Sequence, residues 1–260
     1  MRGNSNRFYI SEAVLAKAKT SLGDEWLEIT DRQLIKQWLK VMRFGEGDVV
    51  RLFDGSGHEY NYQFLIINDQ SKFKDQDSKI KLRLVDKKYC PEKKCKIYIG
   101  FGILKDRTRL EWMMEKCTEL GVDGFVPVMA DNCQVKDLKR TDRLEKKMIE
   151  ASEQCGRVRL PEILTNHSME EVLDNPKWRV VVMEKGQNKA EIKIEDSNGS
   201  RDILLLVGPE GGWSQREIKL FNQSGVRYMS LSDNVLRAET AAIIGTSDLY
   251  GKLRNLKSNR

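Results

Sequence analysis

Within the first ninety residues the pattern is that of short extended runs. GDVVRLFDGSGHEYNYQFLIIN reads as two strands joined by the turn signal Asp54-Gly55-Ser56-Gly57. KIKLRLVD predicts another, because Ile80, Leu82 and Leu84 alternate with Lys81 and Arg83. Between them NDQSKFKDQDSK is polar and turn-like. Leu34, Ile35, Trp38, Leu39 and Met42 share one helical face, which predicts a helix from Arg32 to Met42. Short strands separated by glycine turns point to a small β-barrel.

From about Cys90 the rhythm becomes strand alternating with helix. KIYIGFGIL is a predicted strand, followed by the helix RTRLEWMMEKCTELG with an apolar stripe of Leu110, Met113, Met114, Cys117 and Leu120, closed by Gly121. GFVPVMA, WRVVVME, DILLLVG and VRYMSLS read as further strands. The leucine- and valine-rich runs among them suit strands buried on both faces. Helices are predicted near Thr141–Cys155, in SQREIKLFNQSG with the capping box Ser214-x-x-Glu217, and in ETAAIIGTSDLYGKL. This alternation predicts a parallel α/β sheet.

Three of those strands run into unusual loops: VVMEKG, LLLVGPEGG and MSLSDNVLRAET. In open parallel sheets ligands sit beyond the carboxyl ends of the strands, and glycine lets backbone approach them closely. Gly208-Pro209-Glu210-Gly211-Gly212 has more glycine than a turn requires. About twenty-five residues later Arg237 and Glu239 lie between Leu236 and the small Ala241 and Ala242. Each loop has a bland reading, a tight turn or a surface ion pair. Two of them at neighbouring strand ends favour a binding site.

Composition narrows the classes. The chain is 40% hydrophobic and 32% charged, and its apolar runs are too short to cross a bilayer. The opening MRGNSNRFYI is polar and basic, so an intracellular, cytoplasmic protein with no membrane association is expected. Five scattered cysteines, an odd number, argue against a disulfide framework. Cys90 and Cys95 have no second pair and no nearby histidine, so no metal is expected. The net charge of +6 permits RNA as a partner without requiring it. Residues 1–90 hold 16 basic and 13 acidic residues, +3, and the other 170 also carry +3. The chain lacks a phosphate-binding G-x-x-x-x-G-K-[ST] motif. A hydrolase built on Ser56 and His58 would place its nucleophile in a hairpin turn, where serine has a simpler explanation.

VGPEGGWSQREI followed by LSDNVLRAETAA resembles the RsmE family of 16S ribosomal RNA (uracil-N3)-methyltransferases, in the SPOUT superfamily. RFYI, VMRFGEGDVVRLFDGSG, LKDRTRLEWMMEKCTELGV and EASEQCGRVRLPEI resemble the same family in order along the chain. The resemblance implies an α/β fold: a small PUA-like β-barrel RNA-binding domain over residues 1–90, then a SPOUT methyltransferase domain over 91–260 whose last helix forms a trefoil knot. Ala241, Ala242, Gly245 and Ser247 suit close packing there, as they would suit any tight helix contact. It further implies a homodimer and S-adenosyl-L-methionine (SAM) as cofactor. The cofactor would be held mostly by backbone at Val207, Gly208, Gly211, Gly212, Leu231, Leu236 and Ala238, with Met183 and Glu184 at the end of another strand. The substrate would be 16S rRNA or the small ribosomal subunit. A non-catalytic RNA-binding protein keeping the same fold is the alternative.

Methylation of uracil N3 requires the N3 proton to leave. Arg237 suits stabilisation of the charge that spreads onto the carbonyl oxygens, and Glu210 and Glu239 are candidate bases. Either acid can instead position the cofactor or Arg237. Arg7, Arg43, Lys105, Arg107, Gln154, Arg157 and Arg159 lie in family-like segments and are candidate RNA contacts. The family usually has Leu-Gly where this chain has Leu231-Ser232, which raises a question of loop geometry. Trp213 is expected to pack against the following helix.

Overall fold

The computed structural model describes residues 7–19, 25–65, 79–185 and 201–258. They form two compact units. One runs to Glu92 and includes Ser152–Leu160; the other comprises Lys93–Ala151 and the chain from Pro161 onward. Most of the turn-like NDQSKFKDQDSK stretch lies outside the described residues.

The first unit contains β1 (Arg7–Tyr9), α1 (Glu12–Lys19), β2 (Trp26–Ile29), α2 (Arg32–Lys36), β3 (Val49–Phe53), β4 (His58–Phe64) and β5 (Ile80–Tyr89). Their sheet order is β1-β3-β4-β5-β2. The β3–β4 hairpin has the predicted turn, with pairs from Val49↔Gln63 to Phe53↔Glu59. The single helix expected over Arg32–Met42 is instead α2 followed by a π-helical turn, Gln37–Val41. That turn still buries Trp38, whose ring meets Phe64 edge-on at 5.6 Å. With Leu27, Val50, Leu52, Tyr62 and Leu82 these rings form the core. At the hairpin tip Ser56 Oγ donates to Asp54 Oδ1 at 2.7 Å and lies 2.9 Å from His58 Nδ1, so the three side chains close the turn on one another.

Ser152–Leu160 falls within the span that the sequence reading gave to the methyltransferase part, yet it is stitched into this first unit. The Tyr9 N–H donates to Glu153 Oε1 (2.9 Å), the Leu160 N–H to the Gly55 carbonyl (3.1 Å), and the Arg159 guanidinium to the Cys90 carbonyl (2.8 and 3.0 Å).

The second unit holds β6 (Ile97–Gly102), α3 (Arg107–Leu120), β7 (Gly124–Val128), α4 (Thr141–Cys155, its last turn grouped with the first unit), β8 (Glu162–Ile163), α5 (Met169–Asp174), β9 (Trp178–Met183), β10 (Asp202–Val207), α6 (Gln215–Ser224), β11 (Arg227–Met229) and α7 (Ala238–Ser258). The strand order is β11-β9-β10-β6-β7-β8, and every pairing is parallel. β6, β7 and nearly all of β10 are buried throughout, as parallel strands covered on both faces must be. Asp106 caps α3 through Thr108 and Arg109 N–H groups, and Gly121 closes it in the left-handed region at φ 98°. The capping box predicted at Ser214 and Glu217 is formed.

α7 packs on α3 and on β10. Ala241, Ala242, Gly245 and Thr246 face inward, whereas Ser247, expected with them, is exposed, because it falls on the opposite side of the helical turn. No helix among the described residues is long and apolar enough to cross a membrane.

Candidate active site

The three loops singled out in the sequence follow β9, β10 and β11, which are neighbours in the sheet. Because all three strands run parallel, their carboxyl ends open on one side. A cavity of about 410 Å³ lies there, a size suited to a small organic ligand. Met183, Glu184, Val207, Gly208, Gly212, Leu231, Leu236 and Ala238 bound it, with Glu210, Arg237 and Glu239.

Gly211, expected in the same shell, does not bound the cavity. It is packed against Asn132, so close that a Cβ on Gly211 would stand 2.9 Å from Asn132 Cβ. Gly212 adopts φ +70°, where a side chain is disfavoured. Part of the glycine content therefore answers to the chain's own packing. Trp213 packs edge-on against Phe221 of α6, ring centroids 5.2 Å apart, as expected, and also forms one wall of the cavity. Ser232 has no left-handed φ, so glycine is not required there. Its Oγ accepts from the Asn234 N–H at 3.0 Å and closes the turn.

The charged groups differ in their surroundings. Arg237 is exposed at the cavity edge, and its guanidinium has no hydrogen-bond or ion-pair partner among the described residues. Glu239 is buried in the first turn of α7, with Arg109 Nε 3.9 Å from Oε1. A carboxylate there is also favoured by the helix dipole. Glu210 is exposed, and its Oε2 accepts a long 3.4 Å bond from the Lys105 N–H. Burial pushes the pKa of Glu184 up from the ordinary carboxylate value. Arg109, Lys185, Asn234 and Val235 also bound the cavity and were not anticipated. For Arg109 there was a signal: a cation in the first turn of a helix opposes the dipole unless an acid holds it.

The candidate RNA contacts separate by what already occupies them. Arg43, Lys105 and Gln154 have exposed side chains. Arg107 is committed to the Lys139 carbonyl (2.7 Å), the Arg140 carbonyl (2.6 Å) and Glu111 (3.4 Å). Arg159 is committed to the Cys90 carbonyl and stacks near Tyr89, 5.4 Å from the ring centre. Arg7 is paired with Glu59, and Arg157 donates to the Arg159 carbonyl. These four hold structure together, because buried or half-buried guanidinium groups must find acceptors. Among the described residues no group of three or more His, Cys, Asp or Glu is placed to hold a metal ion.

A parallel sheet with a glycine loop and a ligand-sized slot at its carboxyl edge is an α/β architecture suited to binding a small organic cofactor. Within that class, a family model described as an RNA methyltransferase domain matches residues 91–249, and an RNA methyltransferase PUA domain model matches residues 39–73. Ribosomal RNA small subunit methyltransferase E of Bacillus subtilis is 30% identical over 236 residues, covering 85% of this chain and 89% of that protein. The protein of the same name from Rickettsia conorii is 29% identical over 242 residues, 92% of each. The chain belongs to the ribosomal RNA small subunit methyltransferase E family. A putative methyltransferase from Legionella pneumophila, solved with bound SAM, superposes with a TM-score of 0.73 at 25% identity, covering 95% of this chain and 98% of that one. The Neisseria gonorrhoeae ribosomal RNA small subunit methyltransferase E, solved with S-adenosyl methionine, shares the fold, with a TM-score of 0.73 at 24% identity over 94% and 95% of the chains.

Proposed function

We propose that this protein uses SAM to methylate N3 of one uridine in the 16S rRNA of the small ribosomal subunit. The observation that carries the reading is the convergence of the β9, β10 and β11 loops on one cavity, with Arg237 at its edge and acids around it. The residues suit the cofactor. Backbone at Val207, Gly208 and Gly212 gives close approach, and Trp213, Leu231 and Leu236 offer apolar surface for a base. Glu184 and Glu239 bring carboxylates to a pocket for a cation. When bound, SAM supplies an electrophilic methyl group.

The chain's own groups do the rest. Arg237, uncommitted, stabilises the negative charge that develops on the uracil oxygens as the N3 proton leaves. Glu210 is the better acceptor of that proton, since its carboxylate is exposed and only weakly engaged. Glu239, buried beside Arg109, is a positioning acid for the first turn of α7. Its neighbour Ala238 begins the helix with the backbone that the cofactor would touch.

The five-stranded sheet of the first unit and the PUA match over residues 39–73 support the reading of 1–90, joined by Ser152–Leu160, as a PUA-like barrel that holds RNA, with the rest of 91–260 as the methyltransferase part. Phosphate contacts from exposed cations such as Arg43 and Lys105 position the substrate, and the target base is drawn out of its stack before reaction. α7, with its inward small residues, is proposed to complete a trefoil knot, and two copies to associate as a cytoplasmic homodimer.

Labelled methyl transfer from SAM to naked 16S RNA, to free small subunits and to subunits already methylated tests the reading. Incorporation into unmethylated RNA or subunits alone is expected, and none into any of the three would remove it. A pH effect should accompany it. Glu184 is held above the ordinary carboxylate pKa by burial, with the Tyr228 phenol nearby and the Lys185 N–H as its hydrogen-bond donor. Its charge is therefore lost earlier than usual as pH falls, and SAM affinity measured by calorimetry should begin to decline at a higher pH than an ordinary carboxylate would give. Glu184→Gln should flatten that part of the profile. An unchanged profile would take Glu184 out of cofactor binding.

A further inference from the structure

We infer that Asn132, which does not itself bound the cavity, is a positioning residue for the methyl donor: it clamps the glycine loop that forms the cofactor's wall. The inference rests on the function proposed above. Asn132 Nδ2 donates to two successive loop carbonyls, Gly211 at 3.2 Å and Gly212 at 3.1 Å. Both neighbours are acceptors, which identifies the contacting atom as the amide nitrogen. Gly211 makes the approach possible, for a side chain there would collide with Asn132.

The neighbouring residue grips the far end of the same loop. Asp131 receives a two-pronged contact from Arg216 (2.7 and 3.0 Å) and the Ser214 hydroxyl (2.5 Å). Its own N–H donates to Glu217 Oε1 (3.0 Å), while Glu217 Oε2 accepts from the Ser214 N–H (2.7 Å). Lys136 in turn holds the Ala130 carbonyl at 2.9 Å. The segment after β7 thus holds the chain from Gly211 to Glu217 at both ends. A loop with three glycines has many conformations open to it, and fixing one beforehand reduces the ordering cost of binding. Asn132 supplies side-chain hydrogen bonds to two of the three glycines, while the third, Gly208, lies against the Trp213 ring. Its amide is exposed, so the effect is moderate.

The choice of replacement separates a clamp from simple packing. Asn132→Asp keeps the shape but sets carboxylate lone pairs against two carbonyl oxygens, while Asn132→Ala removes the contact. Wild type and both variants would be compared by calorimetry with SAM, by initial rates of methyl transfer to small ribosomal subunits at varied SAM, and by thermal unfolding. The expected result is a rise in Kd and KM for SAM of about three- to tenfold for Asn132→Ala, from the loss of two hydrogen bonds, and a larger rise for Asn132→Asp. kcat at saturating SAM should stay within about twofold, as expected where only binding is preorganised. A folded Asn132→Asp protein with wild-type Kd, or a loss of kcat at unchanged KM, would overturn the clamp. If the aspartate variant does not fold, the alanine variant decides alone. Wild-type protein that binds SAM yet methylates no RNA would refute the proposed substrate and leave the clamp to be judged on Kd. Failure of the wild type to bind SAM would refute both.

Discussion

Arg237→Ala is expected to lower kcat for methyl transfer by about 10²–10³-fold, the loss typical when one preorganised donor to a developing oxyanion is removed. The reason lies in its place together with its freedom, since the other arginine at the cavity, Arg109, faces Asp106 and Glu239. Arg107, Arg159 and Arg216 are each tied by two or more hydrogen bonds to carbonyls or carboxylates, and Arg7 is paired with Glu59. Arg237 stands at the cavity with no such partner among the described residues. A guanidinium that the fold does not use is available to substrate. Because its side chain makes no hydrogen bond or ion pair among the described residues, the variant should melt like the wild type and bind SAM within about threefold of it, as expected for an interaction made mainly in the transition state. Arg237→Lys keeps the charge without the planar fork and should recover only part of the rate. Wild-type kcat in the alanine variant would remove Arg237 from the chemistry.

Gly245→Leu should have the largest effect on stability. A Cβ at Gly245 would already lie 2.8 Å from Leu205 Cδ2 and 3.2 Å from Met183 Sδ, so α7 rests directly on β10 and β9. An alanine can be absorbed by small movements of those two flexible ends, and it gains helix propensity of about 1 kcal/mol over glycine. A leucine has no such room. Overpacking on this scale costs about 1–3 kcal/mol or more, and here it displaces the helix whose first turn carries Ala238 and Glu239. Urea unfolding should show a lower midpoint, and SAM binding should weaken with it. Gly245→Ala as stable as wild type alongside an equally stable Gly245→Leu would show that α7 is not seated closely.

The strands and helices that the sequence reveals are those whose periodicity is set locally. α3, α4, α6 and α7, and the buried strands β6, β7, β9 and β10, fall where apolar spacing and caps place them. The elements that it hides are short or defined by distant partners. β2 is four residues that become a strand by pairing with Arg83 to Ile80 of β5, and β8 is two residues against β7. β5 extends through Asp86, Lys87 and Lys88 to Tyr89, a charged run held by pairing with β4 rather than by burial. The allegiance of Ser152–Leu160 is equally nonlocal, since it depends on Tyr9, Gly55 and Cys90.

The site divides along the same line. Loops at neighbouring strand ends could be recognised from composition, and they meet at one cavity. What each polar residue touches could not. Nothing in the letters separates Arg107, consumed by two carbonyls, from Lys105, which is exposed. Asn132 carries no motif, since its role exists only because the chain after β7 lies beside Gly211.

The most direct test is the chemical identity of the methylated nucleoside. Wild-type protein, SAM with a labelled methyl group and unmethylated small subunits would be incubated, the RNA digested, and the labelled nucleoside compared chromatographically and by mass with standards. The expected product is 3-methyluridine from a single position, absent with Arg237→Ala. Label on a ribose hydroxyl, on a base carbon, or on no nucleoside at all would contradict a slot built to draw a proton from uracil N3.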